Sequence, residues 1–373
     1  MKEPIRILNL FTIMNRGGTE TMVMNYYRKI DKSKVQFDFM VHRSEQGLYD
    51  KEIEELGGRI FRMIPIRPWS LNAYRKQLSE FFKNHPEYKI IHSQMSELGY
   101  YAFVEAKKVG IPVRISHAHS SPNGFNLKTI PRFYLKKRML PYITHMFMCG
   151  EKAGEWLFGK KNKNSTIQVN NAIDAKKYIF NPTLREKVRR EFNISNNQIV
   201  VGHVGNFTEP KNHKFIIDVF SEIQKQNKNA VLLLVGDDSG HLGLEIHQKI
   251  QQLGLQNVIF TGTRSDVDEL MQAMDVFLFP SLFEGLSLAS VEAQAAGLPV
   301  LISDRVPIEC KKTDLVKVIP LATPVSVWAD AVFEAAKVER RNTYDEIKKA
   351  GFDVEENAKW LQEFYLKVAS EEK

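Results

Sequence analysis

At 373 residues, with 43% hydrophobic and 26% charged residues, the chain has the size and composition of two ordinary soluble domains. Its two cysteines, Cys149 and Cys310, exclude a disulfide framework or a cysteine metal knuckle and suit a reducing compartment. The net charge of +8 is uneven: residues 1–170 hold 28 Lys+Arg against 15 Asp+Glu, the remainder 24 against 29, so an anionic partner is expected for the first half.

The N-terminus MKEPIRILNLF runs directly into a strand pattern without a signal-peptide core, and no apolar run nears the roughly 20 residues that span a bilayer. Short apolar runs at 5–11, 35–41, 59–64, 89–93, 113–119, 145–149 and 166–170 alternate with helical stretches such as 19–30 and 97–109. This rhythm predicts a parallel α/β sheet. Gly17 and Gly18 follow the first strand and open a helix, where the backbone can approach a ligand; a plain tight turn is the alternative. His117 and His119 close the fifth strand. At i and i+2 they point to one face, and with no third ligand nearby a hydrogen bond to substrate is expected rather than a metal. Residues 126–142 mix Lys128, Arg132, Lys136, Lys137 and Arg138 with Phe133 and Tyr134, a pattern for an anionic membrane surface, an acidic partner or a solvated helix face. Nothing there carries a nucleic-acid signature.

The polar stretch 170–182 reads as a hinge, after which the rhythm restarts at 199–205, 230–236, 258–262, 276–280 and 299–303. The expected division is 1–172, 173–352 and a C-terminal amphipathic helix, 353–373, packing back toward the first domain. Ligands belong at the carboxyl ends of such strands. G-x-G-x-x-G is absent, which argues against a dinucleotide oxidoreductase. Gly205 and Asn206 end the first strand of the second series, and Lys211 follows in the loop, able to neutralise a diphosphate. Asp266 and Asp268 form a D-x-D pair, better explained as a helix N-cap with an acidic first turn.

The densest signal is PSLFEGLSLASVEAQAAGLPV, residues 280–300. Glu284 lies in a glycine-bearing turn and Glu292 on a small, apolar helix where a carboxylate needs a partner. The N–H groups of Leu286, Ser287 and Leu288, at the helix start beside Gly285, would seat a phosphate, and Glu292 could accept hydrogen bonds from a ribose diol. A nucleotide-sugar site is expected.

This E-x7-E block, together with RISHAH, NNAID, GHVGNFTEPKNH, LLLVGD and VIFTGTRSDVDELMQAMDVFLFPS, closely resembles the retaining nucleotide-sugar glycosyltransferases of family 4, most of all those that build bacterial capsular or extracellular polysaccharides. The resemblance covers nearly the whole chain and implies the GT-B fold: two doubly wound Rossmann-like domains facing across a cleft, the first for acceptor and the second for donor. It implies that Glu292 binds the donor ribose, that Glu284 faces the donor sugar, and that Lys211 contacts the diphosphate with the backbone around Gly285 to Leu288. Gly17 and Gly18 would lie near phosphates and acceptor, His117 and less directly His119 near the transferred sugar, and Arg264 in the loop lining the nucleobase. Two positions depart from the family pattern: Asn206 stands where an Arg is usual, and Ala172 replaces the hinge glycine. The implied activity is a metal-independent, retaining transfer from a nucleotide-diphosphate sugar, UDP-linked by expectation, to a glycan or lipid-diphosphate-linked acceptor. It needs no cofactor and would take place in the cytoplasm, peripheral to the inner face of the plasma membrane. The alternatives are a sugar-nucleotide epimerase of the same fold or a weakened, nucleotide- or membrane-binding relative.

Overall fold

A computed structural model describes residues 3–119 and 129–371. The chain divides into two units, one comprising residues 1–172 with 354–373, the other residues 173–353.

In the first unit, seven parallel strands form one sheet in the order β3-β2-β1-β4-β5-β6-β7. They are β1 (Ile5–Phe11), β2 (Val35–Val41), β3 (Ile60–Arg62), β4 (Ile90–Ser93), β5 (Val113–Ala118), β6 (His145–Met148) and β7 (Thr166–Gln168). Every residue of β2 is buried, as are the last five of β1. Such unbroken runs are what a parallel sheet requires when helices cover both faces. One face packs Phe11, Phe37 and Phe39 against the Gly18–Lys29 helix and the C-terminal Val354–Glu371 helix. The other packs Leu8, Leu10 and Ile91 against the Leu71–Asn84 and Tyr100–Lys108 helices. The C-terminal helix buries Val354, Ala358, Leu361, Tyr365 and Val368. Trp360 stacks on Phe364 and stays 41% exposed. The Tyr365 hydroxyl reaches His92 Nδ1 at 2.7 Å, fixing the helix to the middle of the sheet.

The second unit repeats the plan with six parallel strands ordered β10-β9-β8-β11-β12-β13. They are β8 (Val200–Val204), β9 (Val231–Val235), β10 (Val258–Phe260), β11 (Val276–Phe279), β12 (Val300–Ser303) and β13 (Val316–Ile319). The edge strand β13 is absent from the sequence reading: its two middle residues are exposed, so it carries neither a buried run nor a clean alternation. The helix expected over 97–109 begins instead as a 3-10 turn, Ser96–Gly99. The expected hinge is partly ordered, with a short helix at Ala175–Tyr178 and Asn181 capping the Pro182–Glu191 helix by accepting the Thr183 and Leu184 N–H groups. Among the described residues no helix is long and apolar enough to cross a membrane.

In each sheet the strand order reverses beside the first strand, between β1 and β4 and between β8 and β11. Side chains at the carboxyl ends of those strands are the ones the topology exposes to a ligand.

Candidate functional site

In the second unit the loops that leave β8 and β11 are tied to each other. Asn212, in the left-handed region at φ 58°, donates its amide to the Pro280 carbonyl at 3.0 Å, and the Leu282 N–H donates to the Pro210 carbonyl at 2.8 Å. These bonds bring together two residues 73 positions apart: Lys211 Nζ lies 2.8 Å from Glu284 Oε1, with the side chains 21% and 11% exposed. The ammonium also sits 4.7 Å from the centroid of Phe279. Its stem crosses Gly205 so closely that a Cβ there would lie 3.1 Å from Lys211 Cε. Gly205 thus makes room for the lysine. Asn206 is exposed beside it, its side-chain oxygen accepting the Asp237 N–H at 3.2 Å.

The helix after β11 runs from Leu288 to Ala295 with Ser287 as its N-cap, a residue whose side chain makes no capping bond. The helix therefore starts later than the sequence suggests. Of the three N–H groups expected to seat a phosphate, only that of Leu288 belongs to the first turn, followed by Ala289 and Ser290. Leu286 lies ahead of the helix, and the Ser287 N–H faces the sulfur of Cys310. That buried thiol leans toward the Gly285 carbonyl at 3.7 Å, and burial pushes its pKa up to about 11. Cys310 thus supports the turn from beneath.

Glu292 is half-buried on the same helix. Burial is the main reason its carboxyl pKa rises to about 7; the Tyr178 hydroxyl, in hydrogen-bonding reach, pulls it down and nearby Asp268 pushes it up. Tyr178 and Asp268 are the residues that sequence reasoning missed here. Tyr178 has no spacing signal, and Asp268 reads as an ordinary first-turn acid. Arg264, expected beside a nucleobase, is held by Asp266 through two bonds of 2.8 and 2.6 Å and approaches Glu191 at 3.4 Å. Asp266 occupies the N-cap position of the Val267–Ala273 helix, but its side chain is spent on this pair rather than on capping.

The first unit corrects two expectations. Gly17 is the N-cap of the Gly18–Lys29 helix, and a Cβ on it would overlap the carboxylate of Glu20, which folds back over the helix start. That end of the helix is filled by the chain's own acid, while Gly18 is open. His117, expected to approach the transferred sugar, is wholly buried. It lies inside β5 in register with Phe147, its ring stacked 5.4 Å from that of His92 and tilted against that of His119 at 4.1 Å. His119 follows the strand end and is half-buried, with Nε2 2.7 Å from Gln94 Oε1. Burial lowers the pKa of all three rings, to about 3 for His92 and His119, so they are neutral at physiological pH.

In the basic Thr129–Met139 helix, Lys128 lies outside the described residues. Arg132 pairs with buried Glu97 and stacks over Trp156, and Lys136 donates to the Trp156 carbonyl. Of the four described cations Lys137 and Arg138 are exposed, flanked by Phe133 and Tyr134 at 39% and 59% exposure. These four are therefore not one solvated face.

A family model, Glycosyl transferases group 1, matches residues 185–311. The putative glycosyltransferase EpsF of Bacillus subtilis is 35% identical across 96% of this chain and 96% of its own length. The UDP-Gal:α-D-GlcNAc-diphosphoundecaprenol α-1,3-galactosyltransferase of Escherichia coli is 24% identical across 72% of each. Among solved structures, HepE of Anabaena in complex with UDP and glucose superposes with a TM-score of 0.74 at 18% identity, covering 96% of this chain and 94% of its own, which fixes the fold as GT-B. With a relative of that identity spanning almost the entire sequence, the chain belongs to the group 1 glycosyltransferases.

Proposed function

We propose that this chain is a retaining glycosyltransferase that moves a sugar from a UDP-linked donor to a glycan or lipid-diphosphate-linked acceptor in the assembly of a cell-surface polysaccharide. The observation that carries the reading is the Lys211–Glu284 pair at the β8/β11 reversal, next to the start of the Leu288–Ala295 helix. A cation and a helix N-terminus on one strand-end edge suit a diphosphate. The UDP choice draws on the E. coli relative and on HepE, and the acceptor class on the E. coli relative.

In this reading the second unit binds donor and the first binds acceptor. Glu292 accepts hydrogen bonds from the ribose hydroxyls. Lys211 leaves Glu284 for the diphosphate and stabilises charge as the bond from the sugar's C1 to the phosphate oxygen breaks. The acceptor hydroxyl forms its new bond to C1 from the same face, and its proton goes to the departing phosphate oxygen. Glu284, released from the lysine, contacts the donor sugar. His119 replaces His117 as the accessible histidine on the acceptor side, and Gly17 and Gly18 follow β1, two strands from β5 in the same sheet. Because Lys211 and the helix start supply the positive charge, no metal is required, and turnover should survive EDTA. Lys137, Arg138, Phe133 and Tyr134 would rest on anionic lipid at the inner face of the plasma membrane.

A thermal-shift screen over UDP-, GDP- and ADP-sugars tests the donor class, since a bound donor raises the melting temperature by mass action. NMR of the product with an axially linked donor then reads the anomeric outcome. Stabilisation by none of the UDP-sugars, or an inverted product, would defeat the proposal. Equal vesicle co-sedimentation of the wild type and a Lys137→Ser/Arg138→Ser variant would defeat its membrane part.

A further inference from the structure

The loop that leaves β12 is fastened at both ends to the segment that carries Glu284 and Glu292. At its start the Ser303 hydroxyl donates to the Ser281 carbonyl at 2.5 Å. At its far end residues 310–313 close around one wholly buried amide, that of Gln294 on the Leu288–Ala295 helix. Gln294 Nε2 donates to the Cys310 carbonyl at 2.8 Å and, back on its own helix, to the Ser290 carbonyl at 2.9 Å. Its oxygen accepts the Lys312 and Thr313 N–H groups at 2.7 and 3.0 Å, and the Thr313 hydroxyl at 3.3 Å. Residues 311–313 are irregular, so these backbone groups depend on the side chain for their partners. Held in this way, Cys310 places its thiol 3.7 Å from the carbonyl of Gly285, in the turn between Glu284 and the helix start.

The end of the helix does not need this amide. The Thr343 hydroxyl donates to the Gln294 carbonyl at 2.6 Å and reaches that of Ala295 at 3.3 Å, and the Leu298 N–H closes on the Ala293 carbonyl at 3.0 Å. What the Gln294 side chain adds is its hold on residues 310–313. An apolar side chain of similar volume would fill the space and leave the groups of that segment unpaired, so packing alone does not call for glutamine. We propose that Gln294 is a positioning residue for the donor. It fixes residues 310–313, and through Cys310 the Gly285 turn, in the shape that presents Glu284 and the helix start to a nucleoside diphosphate. This rests on the reading of that turn as the phosphate end of the donor site. Gln294 acts through the loop and not on the nucleotide, and no covalent bond is made or broken.

The test is calorimetric titration of UDP into the intact protein and its variants, at a temperature where all are folded. Gln294→Met keeps the volume and removes the amide, and should bind UDP about 5- to 10-fold more weakly than wild type. Thr343→Val loosens the same helix end without touching residues 310–313. It should melt lower yet bind UDP within about twofold of wild type, a split that a merely structural role for Gln294 would not produce. Cys310→Ala leaves every bond to Gln294 in place and should weaken UDP about threefold. Added to Gln294→Met it should cost little more, because both changes act along one line of contacts. Cys310→Ala carries the test by itself if Gln294→Met does not fold. Unchanged affinity in Gln294→Met or Cys310→Ala, additive losses in the double variant, or an equal loss in Thr343→Val would overturn the positioning role. The donor site would still stand if Lys211→Met lost affinity in the same titration. If Lys211→Met bound UDP as tightly as wild type, the donor reading would fall and this role with it.

Discussion

In the ligand-free protein the cation assigned to the diphosphate is already occupied, so the donor must compete with Glu284. At the 2.8 Å separation of Lys211 Nζ and Glu284 Oε1 the gross attraction is about 6 kcal/mol at an effective dielectric of about 20. Both side chains are partly exposed, at 21% and 11%, and desolvation and ordering offset most of that figure. A net pair strength of about 1–2 kcal/mol remains. Replacing Glu284 by Gln removes the competitor and keeps the shape. Expelling the pair no longer opposes nucleotide binding, so UDP should bind Glu284→Gln about 5- to 30-fold more tightly than wild type at pH 8, where Glu292 is ionised. Turnover should fall by about 100-fold or more, because the donor-sugar contact is lost. Lys211→Met should behave oppositely, losing both UDP affinity and turnover, and should melt lower because Glu284 is left partly buried without its partner. Calorimetric titration of UDP into the three proteins separates these outcomes. If Glu284→Gln bound UDP no better than wild type, the ion pair would not be the barrier the geometry implies, and the exchange step would be wrong.

Two further outcomes follow from the same site. Glu292, with its pKa raised to about 7 from an ordinary 4.5, keeps its proton in the folded chain over a range in which the unfolded chain ionises. It costs no stability below about pH 4.5, and a penalty grows up to pH 7 and persists above it. Glu292→Gln should therefore gain about 1–2 kcal/mol over wild type on going from pH 5 to pH 8, after discounting the shift for partial exposure. Thermal melts at the two pH values that gave equal differences would contradict this. Asn206→Arg restores a second cation beside Lys211, at an exposed position where the side chain now only accepts the Asp237 N–H. It should lower KM for the donor about 3- to 10-fold, and an unchanged or higher KM in an initial-rate assay would count against Asn206 facing the diphosphate.

Twelve of the thirteen strands among the described residues are legible in the sequence because each lies in a short apolar run that alternates with helical stretches at regular spacing. The exception, Val316–Ile319, is an edge strand whose exposed Lys317 and Val318 break the pattern. The site is legible to a different degree. Local order along the chain identifies strand ends and helix starts, which is enough to single out Lys211, Glu284 and Glu292. It does not say which of them meet. Lys211 and Glu284 pair because β8 and β11 are neighbours in a sheet whose order reverses there, and that adjacency is a property of topology rather than of either motif.

The misplacement of His117 has the same origin on a smaller scale. Two histidines at i and i+2 share a face, and their rings do lie against each other, 4.1 Å apart. Whether one of them is reachable depends on where β5 stops, and it stops at Ala118, leaving His117 in the interior and His119 beyond the end. A single residue of strand length thus decides which histidine can touch a ligand. Tyr178 shows the converse. It comes from a stretch that reads as a polar hinge, so no periodicity marks it, yet Gln272 ties that stretch to the helix of Asp268 and delivers the hydroxyl to Glu292. The segment that joins the strand series therefore also reaches the carboxylate proposed as the ribose anchor. A change in its backbone would reach the carboxylate through Tyr178 without touching a ligand-binding motif.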